Sequence, residues 1–142
     1  MTHIFSRSPW IALAAGAALT LASAAAFAGT MGNPSDRHAA LMEMTTAQYF
    51  AGYAAEAKTL DAAYINLRDA RACLVGTPSN TASTNPCGNE GNGAIPDATT
   101  PARQALAQEA LGQLNDGLQS TDLTVAQNSA RQAIETLRMA VR

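Results

Sequence analysis

The chain is poor in the residues from which catalytic and phosphate-binding sites are built. Its 142 residues include 2 His and 2 Cys, 14% are charged and 5% are aromatic. No Gly-rich phosphate loop precedes a predicted helix, and neither C-x-x-C nor C-x-x-C-H occurs. Outside the N-terminal segment the one histidine is His38, which is remote in sequence from both cysteines. We therefore expect no enzyme activity.

The first 28 residues have the pattern of a secretory signal peptide. Arg7 supplies the basic region, an apolar run extends from Trp10 to Leu21, and Ala26-Phe27-Ala28 form an A-x-A site. A membrane anchor is the alternative for residues 9–28, but the run is mostly Ala and Gly, and the A-x-A site ends it. The pattern predicts cleavage after Ala28, one small domain over residues 29–142, and a periplasmic or secreted location.

The balance of charge disfavours some classes of partner. Because the predicted signal contains Arg7 and no acid, the remainder has eight Lys and Arg against eleven Asp and Glu. This mild acidity without a basic cluster disfavours nucleic acid and anionic membranes as partners. No later stretch approaches the roughly 20 apolar residues of a membrane span. We expect an unknown protein partner or self-association.

The two cysteines permit a single pairing, Cys73 with Cys87. In an oxidising compartment this disulfide closes a loop of 15 residues, which stabilises a small domain by about 3 kcal/mol in the chain-entropy estimate. Zinc is disfavoured because the thiols are 14 residues apart with no histidine near them. We expect the disulfide to staple a long connection.

Residues 35–75 predict helix, since they follow the N-cap Ser35 and contain no proline. A single helix of 41 residues would be about 60 Å long, far longer than the later helices. Thr45 with Gln48 forms a capping box, and Thr59 with Asp61 is a second start signal. An interruption of the helix near residue 45 and one near residue 58 are therefore both open. Apolar residues three and four apart predict the packed stripe: Phe50, Tyr53, Ala57, Leu60, Tyr64, Leu67 and Leu74.

The rest of the chain predicts a long loop and two further helices. The 25 residues from Gly76 to Thr100 are rich in Gly, Pro, Ser, Thr and Asn, which indicates an unusually long connection. Helices are predicted over 101–119 and 122–141, and their short connection makes them antiparallel. The fold class is therefore all-α, an up-and-down bundle of three or four helices with a disulfide-stapled loop. The predicted buried faces are Leu106 or Ala107, Leu111, Leu114 and Leu118, then Ala126, Ala130, Ala133, Leu137 and Ala140.

His38, Met42 and Met44 form the one candidate metal site. His38 and Met42 are four residues apart and share a helix face, so an imidazole and a thioether can bind a soft ion such as Cu(I). Met44 joins them only if the helix frays at Thr45. The alternative is that a methionine fills the core while His38 is solvated.

The long loop offers a candidate recognition surface made of polar side chains. Asn85, Asn89, Glu90 and Asn92, with Asp97, are oxygen ligands of the type that Ca²⁺ prefers, although their spacing does not match a calcium-binding loop. Turn chemistry explains the asparagines equally well. The aromatic residues, in contrast, are expected in the core, with a small-molecule pocket as the alternative: Tyr49, Phe50, Tyr53 and Tyr64.

The last third of the chain resembles a known family. The run Val125-Ala126, Ala130, Ala133-Ile134-Glu135, Leu137-Arg138, Ala140 resembles the closing helix of the periplasmic small metal-binding proteins, and Leu114 to Leu118 resembles their third helix. The resemblance implies an exported four-helix bundle that binds divalent metal through histidines, none of which occurs in the matching stretch. The same pair of helices is similar to periplasmic four-helix b-type cytochromes, which implies Met42 or Met44 as a haem ligand without the histidine partner. These resemblances imply an alternative function to a binding or structural module. In that alternative the chain is a carrier of copper or haem.

Overall fold

Four long helices and one single-turn helix make up most of the computed structural model, which describes residues 34–76, 85–88 and 91–142. The predicted signal peptide, Asn89 and Glu90 lie outside these residues. The prediction of an all-α bundle with a stapled loop is confirmed. In chain order the helices are α1 (Pro34–Ala55), α2 (Leu60–Val75), α3 (Ala94–Asp97), α4 (Pro101–Gln119) and α5 (Leu123–Ala140).

The helix predicted over residues 35–75 is interrupted between Ala55 and Leu60, next to Lys58. This is the second of the two places that the sequence left open. The Thr59 hydroxyl oxygen accepts a hydrogen bond from the Ala62 amide at 3.2 Å, which caps the start of α2. Thr45 is instead inside α1, where its hydroxyl donates to the Leu41 carbonyl oxygen at 2.8 Å. The capping box at Thr45 is therefore not used, and α1 continues past it.

Successive long helices run in opposite directions. α1 packs between α2 and α5, and α4 packs between the same two helices on the other side of the bundle. Arg103 at the start of α4 donates from Nε to the Ala140 carbonyl oxygen at the end of α5, at 2.8 Å. At the opposite end, the Tyr64 hydroxyl of α2 donates to the Ser120 carbonyl oxygen after α4. α2 therefore ends, and α4 begins, at the end of the bundle where the long connection lies.

Small residues dominate the core, so the helices approach closely. Gly117 of α4 is buried, and a Cβ added to it would lie 3.0 Å from Leu67 Cδ1 of α2 and 3.2 Å from Ser129 Cβ of α5. The larger side chains that are fully enclosed are few, and most of the core is alanine. The predicted face of α5 is buried throughout, at Ala126, Ala130, Ala133, Leu137 and Ala140.

The prediction that all four tyrosine and phenylalanine residues of α1 and α2 lie in the core is wrong for two of them. Tyr49 is 66% exposed and Tyr53 is 61% exposed. Both residues precede the break near Lys58, so their exposure is set within α1, where smaller residues take the inward positions. The face of α1 that packs inward is made of small residues and one methionine: Ala40, Met44, Ala47, Ala51 and Ala54.

Two glycines of α4 provide a matched test of this close packing. Gly117→Leu should lower the free energy of unfolding by about 1–3 kcal/mol, because the buried site has no room for a side chain. Gly112→Leu should raise it by about 0.5–1 kcal/mol, because a Cβ at Gly112 meets nothing within 4 Å. Urea denaturation of both variants measures the difference. Equal effects at the two positions would contradict the packing.

Candidate functional site

The stapled end of the bundle is where the predicted recognition loop lies. Cys73 of α2 is fully buried and forms the predicted disulfide with Cys87, which is 7% exposed. The bond ties the connection to the core two residues before α2 ends. The pairing predicted from sequence is confirmed.

The connection crosses itself at two glycines with positive φ. Gly76 has φ 76° and Gly93 has φ 110°, a region that favours glycine. A Cβ on Gly76 would collide with the Asn92 carbonyl oxygen, and a Cβ on Gly93 would collide with the Gly76 amide nitrogen. The backbone segments that leave α2 and enter α3 therefore touch, and only glycine fits at the contact.

A buried carboxylate holds this crossing against α1. Glu43 is 3% exposed, and its Oε1 accepts a hydrogen bond from the Gly93 amide at 2.9 Å. Loss of this bond would leave the buried Gly93 amide without its acceptor. Glu43 thus positions the loop, a role that the sequence pattern did not indicate because the residue has no unusual neighbours along the chain.

The described asparagines of the predicted recognition surface are engaged within the loop. Asn85 Oδ1 accepts from the Cys87 amide at 3.0 Å, and its Nδ2 donates to the Gly88 carbonyl oxygen at 2.6 Å. Asn92 donates from its backbone amide and from Nδ2 to the two oxygens of Asp97, at 2.9 and 3.1 Å. These bonds are turn chemistry. They occupy the Asp97 carboxylate considered as a calcium ligand.

The candidate metal ligands do not all lie on one side of α1. His38 and Met42 are exposed, Met42 to 41%, whereas Met44 is fully buried in the core. Since α1 continues through Thr45, the fraying that would bring Met44 to the other two is not present. Within residues 34–76, 85–88 and 91–142, no group of three or more His, Cys, Asp or Glu is placed to hold a metal ion.

The outer face of α1 is the surface that the sequence analysis missed. We define it as the stripe of the exposed residues His38, Met42, Tyr49, Tyr53 and Glu56 with the half-buried Thr46 among them. Between Glu43 and Glu56 the helix contains no charged residue, so its centre presents a thioether and two phenol rings to solvent. α5, by contrast, separates a buried alanine face from an outer face with Arg131, Glu135 and Arg138. The sequence signal was the poor amphipathicity of α1, whose apolar residues lie all round the helix.

A shallow groove of about 400 Å³ borders the outer face on its α5 side. Its lining includes Gly52 and Glu56 of α1, with Ile134 between charged side chains of α5. A Cβ added to Gly52 would meet no atom within 4 Å. Arg138 and Glu135 pair with each other across the groove wall at 2.7 Å, in an exposed ion pair of the kind that contributes little to stability.

The carboxyl group of Asp69 has a pKa that is displaced from its ordinary value. Partial burial on α2 raises the pKa of the Asp69 carboxyl above its ordinary value. The folded chain therefore binds this proton more tightly than the unfolded chain does. The ionised group opposes folding at neutral pH, and that opposition disappears as the pH falls through the raised pKa.

Removal of the disulfide tests the role of the staple. The double change Cys73→Ala with Cys87→Ala leaves no free thiol and should lower the free energy of unfolding by about 3 kcal/mol, the entropy of a loop of this length. Thermal and urea denaturation measure the loss, and the wild-type chain reduced with a dithiol is the matched comparison. An unchanged stability in both would contradict a stabilising staple.

Glu43 provides a test of how the loop is held. Glu43→Ala should lower the free energy of unfolding by about 1–3 kcal/mol, because the buried Gly93 amide loses its acceptor. Glu43→Gln keeps a carbonyl oxygen at the same reach and should lose less. Hydrogen exchange at the Gly93 amide should accelerate in the alanine variant. Unchanged exchange there would contradict the assignment.

Comparisons with protein-family models, with curated proteins and with solved structures find no match to this chain. The resemblance to periplasmic small metal-binding proteins therefore stays a prediction. What the structure shows is an alanine-rich bundle of four long helices with a disulfide at one end. The outer face of its first helix has an uncharged centre.

Proposed function

We propose that this chain is an exported binding or structural module that works by contact between proteins, without catalysis. The observation that carries the proposal is the outer face of α1, where Tyr49 and Tyr53 are more than half exposed around an uncharged centre. Exposed aromatic side chains bury much apolar area on binding while their hydroxyl groups tolerate water. Tyrosine and methionine are enriched in the centres of protein interfaces, where charged residues are depleted.

The bundle suits such a role because its contact face is rigid. α1 is held on both sides by α2 and α5, and its inward face is packed without large flexible side chains except Met44. A preorganised helix loses little conformational entropy when a partner docks on it. Tyr53 is oriented further by an edge-to-face contact with Phe50, whose ring centroid lies 6.5 Å away.

Export is supported by the disulfide and by the N-terminal pattern. Disulfides persist in oxidising compartments such as the bacterial periplasm, and Cys73 is joined to Cys87. Residues 1–28 are predicted to be the signal peptide. Among the helices of the described residues, none combines the length and hydropathy that crossing a bilayer requires.

The buried carboxylates support a non-catalytic role. Glu43 accepts the Gly93 amide, and Asp97 accepts two donors of Asn92. Both groups are used in holding the loop, which is a structural task. The proposal assigns no acid, base or nucleophile.

A copper or haem carrier is the second candidate, and one observation favours it. His38 and Met42 lie one turn apart on the outer face, and both are exposed to solvent. An imidazole and a thioether at this spacing suit Cu(I). Anaerobic Cu(I) titration and haem difference spectroscopy of the chain after Ala28 test this candidate. Binding at micromolar ligand that His38→Ala abolishes supports it, and no binding removes it.

Site-specific photo-crosslinking in the native host tests the protein-binding module. A benzophenone amino acid at Tyr49 or Tyr53 should give ultraviolet-dependent adducts of higher mass, because these positions are expected to lie in an interface. The same probe at Ile65, which is 58% exposed on α2, is the matched control. Adducts at Ile65 but none at Tyr49 or Tyr53 would contradict the proposal.

A further inference from the structure

We propose that a second copy of this chain docks on the outer face of α1, with the two α1 helices antiparallel about a two-fold axis. This inference rests on the proposed function and names the partner. It is carried by the order of side chains along the face, by a half-buried glycine with open space above it at the edge of the face, and by the distribution of charge over the rest of the bundle.

The outer face of α1 is complementary to the same face of a second α1 that runs in the opposite direction. A two-fold interface pairs residue i with j and j with i. With the axis level with Ala47, Met42 lies opposite Gly52 and beside Tyr53 of the second copy, and Thr46 lies beside its Tyr49. Sulfur over an aromatic ring is a favourable contact, and the threonine methyl packs on a phenol. At the ends His38 meets Glu56, which still follows the helical pattern because its amide donates to the Gly52 carbonyl oxygen at 3.2 Å.

Gly52 supplies an independent reason for close approach. A glycine inside a helix costs about 0.5–1 kcal/mol relative to alanine. Among the described residues none fills the space of the missing side chain, because a Cβ on Gly52 would meet no atom within 4 Å. In the antiparallel arrangement Gly52 lies opposite Met42 of the second copy. The open space above Gly52, continuous with the groove toward Ile134, receives that methionine.

The other exposed apolar side chains of the described residues do not form a comparable surface. Ile65 of α2 lies near Asp61 and Arg68, and Met139 of α5 lies beside Arg138, while Val75 and Val125 lie singly near the ends of their helices. Single apolar residues of this kind are ordinary on a protein surface. Of the four long helices described, only α1 has an outer face with an uncharged centre and ionisable groups at both ends, which is the pattern that an antiparallel copy matches.

The size of the face sets the expected strength. From His38 to Glu56 it extends about 27 Å at 1.5 Å per residue, and one helix from each copy supplies most of the contact. Such an interface lies at the small end of specific protein contacts. We expect a reversible dimer with a dissociation constant on the order of 1–100 µM, weak enough to be tuned by single substitutions.

Analytical ultracentrifugation of the oxidised chain after Ala28 measures this dimer across the micromolar range. Tyr53→Ala and Gly52→Arg should each raise the dissociation constant at least about tenfold. Gly52→Arg replaces a helical glycine where there is room, so its melting temperature as a monomer should not fall. Ile65→Ala should change the dissociation constant by less than about twofold. A chain that stays monomeric, or a dimer that Tyr53→Ala and Gly52→Arg leave intact, overturns the inference.

Lys58 reports the direction of the two helices, because it is the only lysine of the chain. In the antiparallel dimer it approaches the first turn of α1 in the second copy, where Asp36 lies. Within one copy the two residues are separated by about 33 Å along α1. A carbodiimide should therefore join Lys58 to Asp36 only between copies, which mixed isotopic labelling detects. Joining of Lys58 to carboxylates of α4 or α5 in the second copy would overturn the antiparallel arrangement.

The two proposals fail in different ways. A monomer in the centrifuge that still gives adducts of another mass at Tyr49 and Tyr53 in the host removes the second copy as partner and keeps the binding module. Absence of both removes both. An adduct of twice the chain mass at these positions, with a dimer in solution, supports both.

Discussion

The bundle depends on a contact between two backbone segments, Gly76 leaving α2 and Gly93 entering α3. Up-and-down topology requires the end of α2 to connect to the start of α4 at one end of the molecule. The connection turns back across itself there, and each glycine occupies space in which a Cβ of the other would collide. The disulfide at Cys73 and the Glu43 carboxylate fix the crossing from either side. α3 follows the crossing, contacts α1, α2 and α4, and closes this end of the core with Ala94 fully buried.

The exposed face of α1 is a consequence of how the core is filled. Alanine at the inward positions lets neighbouring helices approach closely, and close helices leave no room for large rings between them. Tyr49 and Tyr53 lie on the opposite side of α1, where they are more than half exposed. Small inward residues and large outward residues thus share one helix, and the outward ones form the surface proposed to bind a partner.

The sequence predicted what local chemistry controls. The face of α5, the start signal at Thr59, and the pairing of Cys73 with Cys87 follow from spacing and residue type within a few positions. The stripe through Tyr53 was predicted by giving weight to large apolar residues, and it was wrong there because alanine, not tyrosine, lines the inward face of α1. The bond from Gly93 to Glu43 joins residues 50 apart in sequence. No local sequence pattern predicts this contact, because it depends on where the loop lies in the tertiary structure.

The placement of charged residues on α1 bears on which partner the proposed surface would accept. A helix that carried charge along its outer face would be solvated, and a partner would have to displace that water at each group. The outer face of α1 has its ionisable groups, His38 and Glu56, at its two ends, so docking on its centre would desolvate two phenol groups and a thioether. In the proposed antiparallel dimer each His38 would lie near a Glu56, whereas a parallel copy would place Glu56 beside Glu56. The groups at the ends would therefore select the direction of docking, while the centre supplies most of the contact.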